Sequence, residues 1–167
     1  MVIKMPLSDK GVADAIKQLK DAKSKIKTAQ REIAERLGAY GAMRASLYFS
    51  VAQKNPDDII PSISVSINRS TMVATIRAKS EDVGFIEFGA GSRYSGTSHP
   101  LNSEFGTGPG TFREGGTNWN NPKGWFYKRN GTKRHSFGQP AGMAMYKASL
   151  DLQAEAERIV KEVLSSL

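Results

Sequence analysis

Val12, Leu19, Ile26, Ile33, Tyr40 and Leu47 recur at every seventh position, with Ile16 and Leu37 on the adjoining track. That spacing keeps one apolar seam on a helix through many turns while lysines fill the other faces, so a helical region is expected over residues 8–54. Ser8 is a good N-cap, and Asp9 places an acid in the first turn. Gly38 and Gly41 each weaken a helix by about 1 kcal/mol relative to alanine, which predicts a bend or break there. Asn55-Pro56 ends the element, because a residue before proline avoids the α region. The second seam position of a coiled coil would hold Lys23, Gln30 and Arg44, so packing of this helix on a sheet is the better expectation.

The period then changes. Ser62-Ile63-Ser64-Val65-Ser66-Ile67 alternates hydroxyl and apolar residues, the pattern of a half-buried strand, and predicts strands at 62–68 and 71–79 around the turn residues Asn68-Arg69-Ser70. Ser80-Glu81-Asp82 can cap a short helix or begin a strand. Residues 89–124 carry nine of the sixteen glycines, and a connection of that length is either functional or disordered. Strands at 125–129 and 132–137 flank Asn130-Gly131, which supplies the two positive φ angles of a tight hairpin. Met145, Ala148, Leu152, Ala156, Ile159, Val163 and Leu167 follow three–four spacing and predict a closing helix over 140–166. The expected architecture is one α+β domain over 1–167: a long N-terminal helix, a small mostly antiparallel sheet, a C-terminal helix packed on the sheet, and a long glycine-rich loop.

Composition narrows the possibilities. With 167 residues and 39% apolar content the chain is long enough for one real core. It has no cysteine, which removes disulfides and thiolate metal sites. No apolar run reaches the ~20 residues of a membrane span, and the first residues lack the apolar stretch of a signal peptide, so a cytosolic protein without membrane contact is expected. The net charge of +8 is uneven: residues 1–54 carry +6, 81–116 carry −3 and 117–139 carry +5. Such polarity fits DNA, and it fits an oppositely charged neighbouring subunit equally well.

Candidate chemistry is sparse. Glu87 lies between Ile86 and Phe88 but has no partner acid or base at a fixed spacing, so hydrogen bonds to loop amides or a basic residue are expected of it rather than catalysis. His99 and His135 read as surface residues with no third ligand nearby, and no metal, cofactor or catalytic residue is assigned. Gly106-Thr107-Gly108-Pro109-Gly110 lacks the Gly-Lys-Ser/Thr ending of a phosphate loop. Trp119, Trp125, Phe126 and Tyr127 interleave with Lys123, Lys128, Arg129, Lys133 and Arg134 without an acid. That mixture suits contact with DNA or with an acidic partner.

Two short boxes carry a resemblance. The run Phe85-Ile86-Glu87-Phe88-Gly89 and, some fifty residues later, Gly138-Gln139-Pro140 at the entry to the last helix are together similar to the phage head–tail joining and tail-component family. The likeness implies one or two helical turns across Val83–Phe88, with both boxes at an interface. It also implies a structural role in a head–tail junction, neck or tail-completion ring. The partners would be copies of itself, portal or connector and tail-tube proteins, and genome DNA touched without sequence readout. The chain would reside in the bacterial host cytoplasm during assembly and in the virion afterwards. It departs from that pattern in the length of 89–124 and in Ala141-Gly142-Met143. Two other classes compete. One is a sequence-nonspecific DNA-binding accessory protein of a mobile element, and the weaker is a small enzyme with Glu87 as base.

Overall fold

The computed structural model describes residues 8–53, 59–91, 98–105 and 121–167. Asn55-Pro56, Trp119, Gly106–Gly110 and much of the 89–124 connection therefore lie outside the described residues.

Helix α1 runs from Asp9 to Ala52. Ser8 caps it as expected, its Oγ accepting the Gly11 amide at 3.1 Å. The break anticipated at Gly38 and Gly41 does not occur: the 44-residue helix is continuous. Those glycines serve another end. A Cβ on Gly38 would lie 2.7 Å from Val65 Cγ1, and one on Gly41 would meet Ile76 Cδ1. The ribbon β1–β2 (Ser62–Asn68 and Val73–Lys79) thus approaches the helix more closely than a side chain would allow. Its register pairs Ile63 with Ala78, Val65 with Ile76 and Ile67 with Ala74, which sets all six on the face toward α1 and the serines on the other. The turn is built by Asn68, whose Oδ1 accepts the Ser70 and Thr71 amides at 2.9 and 3.2 Å.

The short helix α2 covers Val83–Phe88, and β3 (Trp125–Arg129) pairs with β4 (Thr132–Ser136). Asn130 and Gly131 adopt φ 50° and 78°, as their sequence predicts. The α+β class stands, but the described strands make two separate ribbons instead of one sheet. Helix α3 (Ala144–Ser165) starts four residues later than Pro140 and packs along α1, antiparallel to it, rather than across a sheet. Arg44 meets Asp151 at 2.6 Å, Arg36 meets Glu162 at 3.6 Å, and Lys25 reaches the Leu167 carbonyl at 3.4 Å. Both helices bury small residues, Ala34 and Ala45 on α1 and Ala148 on α3.

The centre of the core is Phe49, Ile86 and Ala144, one residue from each helix. Among the described residues it is small. Val12, Ile16, Leu19 and Ile26, on the apolar seam of α1, are 41–58% exposed. No described helix is long and apolar enough to cross a membrane.

Candidate functional site

Residues 82–91 and 138–146 meet at the point where all three helices converge. Gly89, at φ 87°, closes α2 with its amide on the Phe85 carbonyl at 2.9 Å. Ala90 and Gln139 then exchange two backbone hydrogen bonds of 2.7 and 2.8 Å, a single antiparallel bridge. Gly138, at φ 85°, has no room for a Cβ, which would run into the Ala90 carbonyl oxygen. Farther along, the Gly142 amide donates to the Ile86 carbonyl at 2.8 Å and the Met143 amide to the Glu87 carbonyl at 2.9 Å. The two sequence boxes are thus one backbone clasp.

Glu87 completes it. Helix α3 begins at Met143 in the left-handed region, φ 55°, and no side chain of its own caps it. Glu87 supplies the cap from α2: Oε2 accepts the Met145 amide at 2.8 Å and Oε1 the Tyr146 amide at 3.0 Å. A carboxylate at a helix N-terminus also meets the positive end of the helix dipole. The sequence reading gives Glu87 loop amides or a basic residue as partners; the amides it accepts belong instead to helix α3.

His99 corrects the sequence reading, which placed it on the surface. It is 3% exposed, beside Glu87 at 6%. Its Nδ1 accepts the Leu101 amide at 3.1 Å, so the ring hydrogen sits on Nε2 and donates to Glu87 Oε1 at 3.1 Å. Phe88 and Tyr146 flank the imidazole at 4.5 and 5.4 Å between ring centroids. The Glu–His pair has the composition of an acid–base couple, but both carboxylate oxygens and both ring nitrogens are engaged in the clasp. Two clefts of about 410 Å³ each lie among the described residues, and neither is lined by Glu87 or His99. The geometry fastens the 98–105 segment and α3 to α2.

One of those clefts, about 410 Å³, opens beside the clasp between α2 and the inner face of β3–β4. Phe85, Trp125, Tyr127 and Gln139 line it, together with the ion pair of Asp82 and Arg129. Asp82 Oδ2 accepts Arg129 Nη2 at 2.6 Å and the Ile59 amide at 2.9 Å, tying the ribbon to the body. This divides the five basic residues of the sequence analysis. Arg129 is turned inward and paired, and Arg134 stands opposite Tyr127. Lys123, Lys128 and Lys133 are exposed. Of the eight box residues, Ile86, Glu87, Gly89 and Gln139 are buried, Phe88, Gly138 and Pro140 are half-buried, and Phe85 faces the cleft.

A second polar knot joins α1 to α3. Asp151 Oδ2 accepts Arg44 Nε at 2.6 Å and the Tyr48 hydroxyl at 2.7 Å. The Tyr48 hydrogen bond, then Arg44, holds the Asp151 carboxyl below its usual range, and Asp151 first, then Tyr48, raises the Arg44 guanidinium above its own. A signal for this knot was present: Arg44 interrupts the apolar seam of α1 at a position that faces a partner. Nothing comparable marked His99, which bonds a residue twelve positions away through a loop without periodicity. Among the described residues no group of three or more histidines and acids is arranged to hold a metal. No family model, curated protein or solved structure matches this chain.

Proposed function

We propose that this chain is a structural subunit of a phage or prophage virion, placed at the head–tail junction or tail end. It acts by contacts with copies of itself and with neighbouring virion proteins. The observation that carries this reading is the clasp: the two boxes that bear the family likeness lie against each other and set the start of α3. A second feature supports it. The core is small, while large apolar side chains on α1 and on β1–β2 stay exposed, among them Leu19, Ile26, Leu47 and Val73. Such surface is typical of subunits that complete their burial in an assembly. Head-to-tail contacts that close by rotation would give a ring.

Deleting the gene from its phage or prophage tests the reading. Electron microscopy of induced lysates should then show filled heads and separate or abnormal tails, with infectivity restored by the wild-type chain supplied in trans. Normal particles at a normal yield would sink the proposal.

A further inference from the structure

Strand alternation gives the β3–β4 ribbon two unlike faces. Trp125, Tyr127 and Arg129 turn to the cleft, whereas strand alternation sets Phe126 and Lys128, with their cross-strand partners His135 and Lys133, on the opposite face, although Lys128 also borders the cleft. On that outward face Phe126 is 63% exposed, and Phe137, just beyond β4, is 50% exposed. The His135 ring lies between them, its centroid 4.7 Å from Phe126 and 4.5 Å from Phe137. The three rings make a row.

The row is fixed from below. His135 Nε2–H donates to the Lys123 carbonyl at 2.9 Å. Asn121 turns the chain just before it, its Oδ1 accepting the Lys123 amide at 2.9 Å. Gly124 then passes against the ribbon at φ 73°, where a Cβ would strike the Ser136 carbonyl and lie 3.0 Å from His135 Cε1. Residues 121–124 are thereby laid along the ribbon, and Lys123 is carried to the edge of the aromatic row.

Charge accompanies the rings. Lys133 Nζ sits 4.3 Å from the Phe126 ring centroid, and Lys128 is its direct cross-strand partner. Two lysines opposite each other on a ribbon repel. Asp82 is paired with Arg129 on the other face, and no ion pair joins Lys123, Lys128 or Lys133 to a carboxylate among the described residues. Apart from the Lys133 contact with the Phe126 ring, nothing among the described residues offsets the repulsion in this cationic group, whereas an anionic ligand would relieve it.

The geometry points to the outward face of β3–β4 as a platform for a single strand of nucleic acid. Bases stack on Phe126, His135 and Phe137, and Lys123, Lys128 and Lys133 neutralise phosphates. A face of rings and ammonium groups presents no paired donors and acceptors to base edges, so binding is indifferent to sequence. Ring faces separate this ligand from an acidic protein surface, which would use the lysines and leave the rings in water. The inference is independent of the virion reading, because it concerns what the purified chain binds.

The test is fluorescence anisotropy of the full chain with a labelled oligothymidine and with an abasic sugar-phosphate strand of equal length, over a range of salt. The oligothymidine should bind more tightly than the abasic strand. Phe126→Ala with Phe137→Ala should weaken oligothymidine binding roughly tenfold or more, leaving the salt slope unchanged. Phe126→Tyr should restore binding, which separates loss of a ring from loss of fold. Replacing Lys123, Lys128 and Lys133 by glutamine should instead lower the salt slope by about 2. Equal affinity for the abasic strand would overturn the proposal, as would binding of polyglutamate in place of oligothymidine. Indifference to both sets of variants would assign any binding to the lysine-rich α1 and overturn it as well.

Discussion

Of the two ribbons, β1–β2 rests its apolar face along α1 over its whole length, whereas β3–β4 is attached to the body at a few points. The first meets the helix at Gly38 and Gly41, where removing side chains brings two backbones together. The second depends on Asp82–Arg129, on the Ala90–Gln139 bridge and on the Glu87 cap just downstream. Distributed packing and point attachment differ in consequence. Packing spreads its energy over many contacts of ~0.1–0.2 kcal/mol each, while a buried hydrogen bond to a charged group concentrates about 1.5–3 kcal/mol in one atom pair. A ribbon held at points also leaves its outer face, with its rings and lysines, largely exposed.

The largest effect should come from Glu87→Gln. An amide has one carbonyl oxygen for two helix amides and a histidine, so a buried N–H loses its partner at a cost of about 2–3 kcal/mol in chemical denaturation. An unchanged midpoint would show that the clasp does not depend on the carboxylate. Gly41→Val attacks the other mode of attachment. Its side chain would enter the space of Ile76, and overpacking should cost about 1–3 kcal/mol.

Asp82→Asn sharpens the contrast, because it should loosen one ribbon alone. Hydrogen exchange should quicken across 125–136 while 62–79 keeps its protection, with a global loss of about 1 kcal/mol. Equal acceleration in both ribbons would refute separate attachment. A smaller effect is expected from pH at the α1–α3 knot. Asp151 titrates lower in the fold than in the open chain, so its contribution is complete above the ordinary carboxylate range near pH 4 and is lost as pH falls through its depressed value. The acid limb of a stability profile should flatten slightly in Asp151→Asn. Smallest of all, Phe126→Ala should change stability by no more than about 0.5 kcal/mol, since its ring is largely in water. A loss comparable to that of Gly41→Val would place Phe126 in the core and contradict the contrast between the ribbons.

The extent of α1, both turns, the ribbon pairings and the last helix were legible because each depends on chemistry within a few residues. Ser8 caps its own helix, Asn130-Gly131 supplies its own positive φ angles, and period two or three–four marks each face. The two boxes of the candidate site were also visible as local signatures, and Glu87 was expected to bond loop amides or a basic residue. What the sequence could not give was the identity of partners distant along the chain. A glycine in a helix means flexibility by propensity, and only the approach of Val65 and Ile76 makes Gly38 and Gly41 contact points in an unbroken helix. A histidine before a proline in a polar loop looks exposed. Only tertiary structure sets His99 against Glu87, assigns that carboxylate to the amides of Met145 and Tyr146, and takes Arg129 from the basic surface to pair with Asp82. Local periodicity fixes which face of an element is apolar. Which element covers that face is decided by the energy of long-range contacts, and no short window of sequence contains it.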